Sequence, residues 1–589
     1  MKILPLVLAT AGIAAPLGAA THLVDAKPGA APFQTIQSAL DQAKPGDTVS
    51  VATGVYRERL RFKAGGTADQ PVILEGQDGA IIDASNDVKL DWQPAPDVAT
   101  GTYRAKVDFF PYTITADGKI ITTIDEKRTD PALPHDARDN LRWPSIFKGG
   151  TGEAGWAGLR AVALYLKKEG TLLIKFRKNL DPRTMAITVS PRDPAILITG
   201  GIGHCVIRGF TIRNAACGVR IEGAQGVVVE KCLIGPADYG VHMEGGTNKC
   251  IIRHCEITMA PYSGADPWRE GSWDNWQAHK NAGFYDHYAI RASETKDCEI
   301  HDNFIHDHWD GIETGWPGKP EDNGGHNIYN NVLHTIFDDG METSGGQANN
   351  RFHNNYIENA RIAIRIKNPD QGPLYIYRNI FVGNKSDMVI WSSGKSYSPA
   401  ELWVYHNTCT SDIGLGQNFR DGKAATANYH FFNNLFWSLS STQKRDASYQ
   451  DPDWASDNNV FVAVTLENPR PWFTESANYD TENRRGKWEA SLQLSARAGI
   501  EKNSVWSAAG QPGFVDVAKR NLAITRESPA FAAGRDLSKN EKPLPGCEPG
   551  YFKGEKPNAG ALQDGEAMPK LPELPPFKAP ASSAVAPAQ

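Results

Sequence analysis

The central part of the chain repeats one pattern of apolar and polar positions. From about residue 201 to 460, an apolar-x-apolar stretch is followed by a polar residue, then Asn or Cys, then two apolar positions, as in VVVEKCLI from Val227 and RFHNNYI from Arg351. Most repeats are 23 to 28 residues long. A period this short, with strand-type alternation inside it, predicts a right-handed parallel β-helix whose coils stack about 4.8 Å apart.

One position of the repeat is always Asn or Cys. It is occupied by Cys232, Cys255, Asn303, Asn331, Asn355, Asn379, Asn407, Asn434 and Asn459. An inward Asn at a bend can hydrogen-bond the turn backbone and the Asn of the next coil, which satisfies polar groups that a corner would otherwise bury. Cys232 and Cys255 share this column, either as stacked buried thiols or as a disulfide between coils. We favour thiols.

The segments outside this repeat predict an all-β chain with caps and an insert. PFQTIQSALDQA from Pro32 has helical apolar spacing and predicts a short helix that caps the first coil. YRAKVDFF, KIITTID and GTLLIKFRKNLDP predict antiparallel strands of an inserted subdomain. The predicted units are a signal peptide at 1–20, a cap with the first coils at 21–88, the insert at 89–192, the main β-helix at 193–563 and a disordered Pro/Ala-rich tail at 564–589.

The first twenty residues, MKILPLVLATAGIAAPLGAA, have the order of a secretory signal peptide. One Lys precedes an apolar run that ends in Gly18, Ala19 and Ala20. Pro5 and Pro16 interrupt the run, which is also short for a membrane span. We therefore expect a secreted or periplasmic protein without membrane contact.

The amino-acid composition argues against two further classes of protein. Lys and Arg number 62 against 68 Asp and Glu, a net charge of −6, whereas nucleic-acid-binding proteins usually carry a basic excess. Eight Cys in 589 residues are too few for a disulfide-built scaffold. We expect a monomer whose partner is a polysaccharide rather than a nucleic acid.

Three further stretches carry a resemblance to a known family. FQTIQSALDQAKPGDTVSVATGVYRERL near the start, QPGFVDVAKRNLAITRESPAFAAGRDL from Gln511 and the later NAGALQ resemble secreted right-handed parallel β-helix proteins of the pectate-lyase-like superfamily. The resemblance implies this fold, and it implies a polysaccharide lyase, glycoside hydrolase or uronate epimerase. Fold resemblance does not choose among these activities.

The strand after each bend places charged residues on one face. Alternation predicts an outward column of Arg220, His242, Arg291, Glu313, Glu342 and Arg365, and a second column that ends in Lys367. The motif D-G-x-E occurs twice, at Asp310–Glu313 and Asp339–Glu342, one coil apart. One interpretation is an ordinary surface ladder of ion pairs. Stacked like carboxylates disfavour each other's ionisation, however, which favours a functional acidic centre between basic flanks.

Paired carboxylates suit glycoside hydrolysis, because one acid protonates the leaving oxygen while the other activates water or attacks. We predict Asp310, Glu313, Asp338, Asp339 and Glu342 as catalytic residues. The order WDGIE, FDDGME, RIAIRIK resembles the polygalacturonase type, which implies Asp310, Asp338 and Asp339 as acid and base and Arg365 and Lys367 as substrate ligands. The Gly-His-Gly element of that family is missing here.

Aromatic and basic side chains complete the predicted substrate site. The long insertion before Cys298 contains Trp273 and Trp276, and Trp309 flanks the acidic corner. Such rings suit stacking on the apolar faces of sugars. We predict Trp273, Trp276, Trp309, Arg291, Arg365, Lys367 and His242 as substrate-binding residues.

A lyase or C5-epimerase is the competing interpretation. It would use Arg291, Arg365, Lys367 or His242 as the base, with Ca²⁺ on Glu313 and Glu342 to neutralise a uronate carboxylate. The Lys that the alginate and chondroitin lyases of this fold place after their acids falls here on GGQANN, which contains none. The third interpretation is a non-catalytic carbohydrate-binding solenoid. The residues favour a hydrolase that acts on an acidic glycan and needs no cofactor or metal.

Overall fold

The structure is a computed structural model of the 589-residue chain. It describes residues 19–124, 141, 159–262, 287–315, 323–344, 348–367, 372–391, 401–415, 428–438, 455–463, 501–507 and 511–577. The predicted signal peptide lies almost wholly outside the described residues.

In the described part of the chain, a parallel sheet of thirteen strands forms one wall of the β-helix. Each strand pairs with the corresponding strand of the next coil, in the order in which the coils follow along the chain. Inward residues such as Val229, Ile252 and Ile300 are buried, and the alternate positions are less buried, as the period of two requires. The strands are Thr21–Val24, Thr48–Val51, Val72–Gly76, Cys205–Arg208, Val228–Glu230, Ile251–Arg253, Glu299–His301, Asn327–Tyr329, Asn350–His353, Leu374–Tyr377, Leu402–Tyr405, Tyr429–Phe432 and Ala455–Asp457.

A second sheet, to which 21 of the described strands belong, closes the other side of the coils. Most coils contribute a short strand after the bend and then a longer one, and both pair in parallel with the next coil. The strands are Gly54–Tyr56, Leu60–Arg61, Ala80–Asp83, Pro194–Ile198, Thr211–Arg213, Ala215–Glu222, Leu233–Ile234, Ala237–Glu244, Glu256–Thr258, Tyr288–Ser293, Phe304–His308, Asp310–Gly315, Val332–Ser344, Tyr356–Lys367, Ile380–Val382, Ser386–Trp391, Thr408–Cys409, Asp412–Leu415, Leu435–Ser438, Val460–Ala463 and Val505–Ser507. The predicted parallel β-helix is confirmed.

The bend between the two sheets carries a ladder of buried Asn side chains. Nδ2 of each Asn donates to Oδ1 of the next at 3.0 Å, from Asn303 to Asn459. The same Nδ2 atoms also donate to backbone carbonyls of the preceding coil, as Asn355 does to Ile328 O at 3.0 Å. The residue before each Asn has a positive φ, for example 56° at Asn354. The ladder predicted from the repeat is confirmed.

Cysteines occupy the same column in earlier coils. Cys232 and Cys255 are buried free thiols, as are the other six cysteines. The choice of thiols over a disulfide is therefore confirmed.

The inserted segment forms two small sheets of its own. One sheet contains Gln93–Pro94, Thr102–Lys106, Thr122–Ile124, Ala161–Leu166 and Thr171–Phe176, and the other contains Thr113–Ala116, Lys119–Ile120 and Ile187–Ser190. Pairing is antiparallel except between Thr122–Ile124 and Ala161–Leu166. The insert interrupts the β-helix without disturbing its register, because Thr211 after the insert pairs with Ile81 before it.

The described helices are short, and a hairpin lies near the C-terminal end of the described residues. The predicted capping helix is Ile36–Leu40, whose Thr35 side chain accepts from the backbone N of Ser38. Three-residue 3₁₀ helices occur at Arg177–Asn179, Pro182–Thr184 and Leu537–Lys539, and the hairpin pairs Phe514–Asp516 with Asn521–Ile524. In the described part of the chain, no helix is long and apolar enough to cross a membrane.

The predicted disorder of the tail from residue 564 is wrong for residues 564–577. Leu571, Leu574 and Phe577 pack against a buried cluster that includes Val332 and Tyr356. Nη2 of Arg520 also donates to Pro575 O at 2.6 Å. Pro-rich composition suggested disorder, but these apolar side chains have a partner surface on the β-helix. Residues 578–589 lie outside the described part.

Candidate active site

The predicted charged column exists as a row of residues in register. Arg220 pairs with His242, which pairs with Arg291, and the row continues through Glu313, Glu342 and Arg365. The next row ends Ser293, Gly315, Ser344 and Lys367. Consecutive residues of a row are one strand spacing apart, about 4.8 Å. Sequence alignment of the coils therefore predicted the right neighbours.

A glycine fixes the backbone at each D-G-x-E motif. A Cβ on Gly311 would lie 2.2 Å from the carbonyl oxygen of Gly340 in the next coil and 2.5 Å from Leu333. The backbones of the two motifs are thus in close contact, and a side chain at Gly311 would push them apart. This close contact fixes the backbone positions of the residues on either side, which carry the carboxylates.

A β-bulge turns two neighbouring aspartates to the same site. In a regular strand, Asp338 and Asp339 would point to opposite faces. The strand Val332–Ser344 shifts register between Ile336 and Asp339, so that two of its residues oppose the single residue Arg361. Such a bulge re-aims side chains. One carboxylate oxygen from each of Asp310, Asp338 and Asp339 consequently lies within 4.8 Å of the other two.

Arginines from the next coil pair with these aspartates. Arg361 Nη1 pairs with Asp338 Oδ1, and Arg365 contributes Nη2 to the same oxygen at 3.4 Å and Nε to Asp339 Oδ2 at 2.6 Å. The backbone N of Asp339 also donates to Asp310 Oδ1 at 3.0 Å. All three aspartates are buried. Buried charges are stable only when they are paired and hydrogen-bonded, and the arginines meet that need.

The two glutamates of the motifs are paired separately. Arg291 Nε lies 2.6 Å from Glu313 Oε2, and Lys367 Nζ pairs with Glu342 Oε1. Both carboxylates are buried, whereas the Lys367 side chain is 27% exposed. The cations thus form the outer layer and the carboxylates the inner layer, which differs from an exposed surface ladder.

The carboxyl group of Asp339 has a raised pKa. Burial raises the pKa of its carboxyl group, and the neighbouring Asp338 raises this pKa further, although Arg365 opposes both effects. Asp338 instead is held by two guanidinium groups, which favour a carboxylate. Neighbouring carboxyl groups in unequal environments are the usual arrangement for separate acid and base roles.

The same three aspartates are a possible cation site. Three carboxylate oxygens at this spacing suit a hard divalent cation such as Ca²⁺. Oxygen atoms of Asp338 and Asp339 are, however, already paired with Arg361 and Arg365, whose charges would repel the ion. The residues present therefore fit an arginine-neutralised acid cluster better than a metal centre.

Beside the acids lies an open pocket of about 350 Å³. It is lined by Tyr112, Arg192, Ala216, Cys217, Arg220, Tyr239, His242, Glu244, Arg291 and Ser293. Two of these residues, Tyr112 and Arg192, come from or adjoin the insert, and the remainder come from three consecutive coils. Arg291 belongs to both places, because it lines the pocket and pairs with Glu313.

Buried titratable groups lie behind this pocket. Asp238 Oδ1 is 3.5 Å from His287 Nδ1, and His287 Nε2 is 3.5 Å from the hydroxyl of Tyr112. Burial raises the pKa of Asp238 to about 7 and lowers the pKa of His287 to about 4. Burial, with Arg291 and Arg220, lowers the pKa of His242 to about 3, so its ring is neutral at neutral pH.

Comparisons with known proteins agree with this architecture. The family described as a right-handed β-helix region matches residues 194–314 and 277–409. The described part of the chain folds as a right-handed parallel β-helix. No curated protein sequence matches it.

Solved structures resemble this β-helix at low identity. The structure of XylC with xylose has a TM-score of 0.48 and 16% identity, over 84% of this chain and 87% of that one. An alginate lyase from Paenibacillus sp. str. FPU-7 has a TM-score of 0.37 and 14% identity, over 68% and 98%. A family 28 exopolygalacturonase from Yersinia enterocolitica has a TM-score of 0.33 and 15% identity, over 77% and 77%.

One predicted substrate contact of the β-helix is wrong. Trp309 is fully buried and lies in a cluster with Ile120, Met259 and Phe337, so its ring is not exposed to stack on a sugar. The cause is the insert, whose Ile120 packs on this corner. Trp273 and Trp276 lie outside the described residues. His242, Arg291, Arg365 and Lys367 all lie on the predicted face.

Sequence reasoning missed Arg361, Asp238, Tyr112 and Arg192. The signal for Arg361 was present, because it precedes the aligned segment AIRIK and lies one coil after Asp338. Asp238 directly precedes Tyr239 on the charged face, but nothing in the sequence marks its burial. Tyr112 and Arg192 reach the pocket only because the insert folds back onto the β-helix, a contact that no local pattern encodes.

Proposed function

We propose that this protein is an exported glycoside hydrolase that acts on a uronate-containing polysaccharide. The observation that carries the proposal is the convergence of three buried carboxylates from two coils, with the pKa of Asp339 raised and Asp338 held by two arginines. Asp339 would protonate the leaving oxygen. Asp338, helped by Asp310, would activate water or attack the sugar.

The cations give a reason for an acidic substrate. Arg365 and Lys367 pair with Asp339 and Glu342 and form the outer layer of the site. A uronate carboxylate that binds them would compete with these pairs. Weaker pairing of Arg365 with Asp339 would raise the pKa of Asp339 further, which would favour the protonated form that a general acid needs. Binding and protonation would thus be coupled.

Amide substitutions test the proposal. Asp338→Asn and Asp339→Asn should each lower the release of reducing ends from an acidic polysaccharide by at least about 100-fold, the usual range for acid–base groups. Glu230→Gln is the matched control, because Glu230 is also buried and paired with an arginine, Arg253, but lies on the other sheet. Full turnover in both aspartate variants, with folding intact, would remove these residues from the mechanism.

A lyase or epimerase is the second candidate, favoured by the contacts around Tyr112. Its hydroxyl lies beside His287 in a pocket that contains three arginines. A lyase or epimerase needs a base for the proton α to a carboxylate and a cation to neutralise that carboxylate. His242, with a pKa of about 3, is a weak base. Unsaturated sugar ends, seen by their ultraviolet absorbance, would identify a lyase, and reducing ends without unsaturation would identify a hydrolase.

Two further outcomes separate the remaining alternatives. Loss of activity with a chelator would support the Ca²⁺ form of the lyase, for which Glu313 and Glu342 stay the predicted ligands. In this structure those carboxylates pair with Arg291 and Lys367. Binding of a glycan without any product would identify a carbohydrate-binding solenoid instead of an enzyme.

A further inference from the structure

The open pocket beside the acid cluster has a marked chemical composition. Three arginines and one glutamate line it, together with two tyrosines and one histidine. It lies on the charged face, and its member Arg291 is one strand spacing, about 4.8 Å, from Glu313 in the next coil. His242 and Arg220 are one and two spacings further, so the pocket extends roughly 14 Å from Glu313 along the helix axis.

The arginines of the pocket keep hydrogen-bond donors for a ligand. A guanidinium group has five N–H donors. Arg291 uses Nε for Glu313 and Ser293, and its guanidinium lies 5.3 Å from the Tyr288 ring centre. Arg220 uses Nε and Nη2 for Glu222 and Glu244. Among the described residues Arg192 has no ion-pair partner, and it lies 5.8 Å from the ring centre of Tyr112.

The rings of the pocket provide an apolar wall. Tyr239 and His242 stack with their centres 5.7 Å apart and an angle of 19° between planes. The His242 ring is neutral, because burial and the positive charges of Arg291 and Arg220 lower its pKa to about 3. Burial is the largest cause of this lowering, the two arginines add to it, and Glu222 opposes it. A positive pocket with a flat ring pair suits a ring-shaped ligand that carries an anion.

We propose that this pocket binds the acid group of a sugar residue about two or three units from the reacting sugar, because His242 at its centre is three strand spacings, about 14 Å, from the coil of Asp338 and Asp339. Arg192, Arg220 and Arg291 bind the carboxylate, and the Tyr239–His242 pair contacts the sugar ring. The assignment rests on the proposed function for its place along the substrate, but the binding itself does not require catalysis. A polysaccharide would then lie along the helix axis, with this acid group in the pocket and the reacting linkage further along the axis, at Asp338 and Asp339.

Binding to a catalytically inactive variant tests this assignment. In the Asp339→Asn background, calorimetry would compare trisaccharides of galacturonate, guluronate, mannuronate and glucuronate with their carboxyl-reduced counterparts. At least one acidic trisaccharide should bind at least tenfold more tightly than its reduced counterpart, the effect of a charge-assisted hydrogen bond. The preference should weaken as salt rises. Equal binding of every pair would overturn the proposal.

Arginine variants locate the site. Arg192→Gln and Arg220→Gln should each remove most of the preference for the acidic form. Arg208→Gln is the matched control, because the Arg208 side chain is 40% exposed and ion-paired with Glu75, against 37% for Arg220. Melting temperatures identify a variant that fails to fold, and Arg192 is exposed, so its variant should fold. If both pocket variants bind as the Arg208→Gln control does, the pocket is not the site.

The two proposals fail separately. Loss of turnover in Asp339→Asn with binding unaffected by the pocket variants would retain the hydrolase and reject the pocket. Acid-selective binding that depends on Arg220, with no product from any glycan, would retain the pocket and reject the hydrolase.

Discussion

The backbone N–H of Asp339 donates a hydrogen bond to Oδ1 of Asp310 over 3.0 Å. The bond joins the two copies of D-G-x-E across adjacent coils. It makes Asp310 a positioning group for the chain segment that carries the proposed acid. The carboxyl group of Asp310 is therefore expected to act in two ways, through its acceptor oxygen and through its charge.

Substitutions at Asp310 separate these two roles. Asp310→Asn retains an oxygen that can accept from Asp339, so its free energy of unfolding should stay near that of the wild type while turnover falls. Asp310→Ala loses the acceptor and should also lose about 1–3 kcal/mol of stability, since a buried donor is left unsatisfied. Denaturant unfolding measures the stability of each variant, and hydrolysis rates measure its turnover. Full activity in Asp310→Asn would show that its charge is dispensable.

Removal of Arg361 should shift the pH dependence of catalysis. Arg361 is one of the cations that lower the pKa of Asp339, so Arg361→Met should raise this pKa further. A general acid must be protonated, and activity falls as pH rises through its pKa. The alkaline fall in the pH–rate profile should therefore move to higher pH. Arg351→Met, on the other sheet, is the control. A shift to lower pH would contradict the assigned role of Asp339.

Asp238 should make folding stability depend on pH. Its pKa of about 7 in the folded protein, against an ordinary value near 3.8, means that the folded state binds the proton more tightly. This contribution is fully present below about pH 4 and is lost as pH rises to about 7, an effect of up to about 4 kcal/mol. Asp238→Asn should remove it.

The comparison with Asp238→Asn requires a control at an exposed carboxylate. Asp78→Asn serves, because Asp78 lies on the surface. The difference in unfolding free energy between wild type and Asp238→Asn should narrow or change sign between pH 4 and 7, whereas the difference for Asp78→Asn should stay flat. A flat difference for both would mean that Asp238 is ionised across this range.

Interruption of the Asn ladder should destabilise the whole β-helix. Asn355→Ala removes the bonds to Ile328 O and Asn379 and leaves the backbone N of Asn331 without its side-chain acceptor. The expected loss is at least about 2 kcal/mol. Asn327→Ala removes only a bond to His353 at 2.9 Å and should cost less than about 1 kcal/mol. Thermal unfolding compares the stability of the two variants. Equal losses of stability would show that the Asn ladder has no special structural role.

The sequence repeat predicted the features that depend on contacts between neighbouring coils. The register of Arg291, Glu313, Glu342 and Arg365 and the Asn ladder both follow from aligned positions, because each coil bonds only to the coils beside it. Contacts that join distant segments were not predictable. The burial of Trp309 by Ile120, the approach of Tyr112 to His287 and the packing of Leu574 depend on how the insert and the tail fold back.

The proposed acid site was predictable from the sequence only in part. The sequence shows D-G-x-E twice, yet alternation alone would separate Asp338 from Asp339. The bulge that brings them together adds one residue opposite Arg361, and an extra residue leaves no distinct mark in a repeat whose length already varies. The positions of the acids were therefore predicted, whereas their convergence and their arginine partners required the structure.

The Asn ladder has a consequence for how such a protein changes length. Each Asn rung makes the same bonds to its neighbours, so a duplicated coil inserted between Asn379 and Asn407 would find matching partners at both faces. The two ends of the molecule would move apart by about 4.8 Å per added coil, while Asp310, Asp338, Asp339 and Arg365 would keep their mutual positions. The charged face can thus lengthen by gene duplication without rebuilding the coils of the proposed acid site.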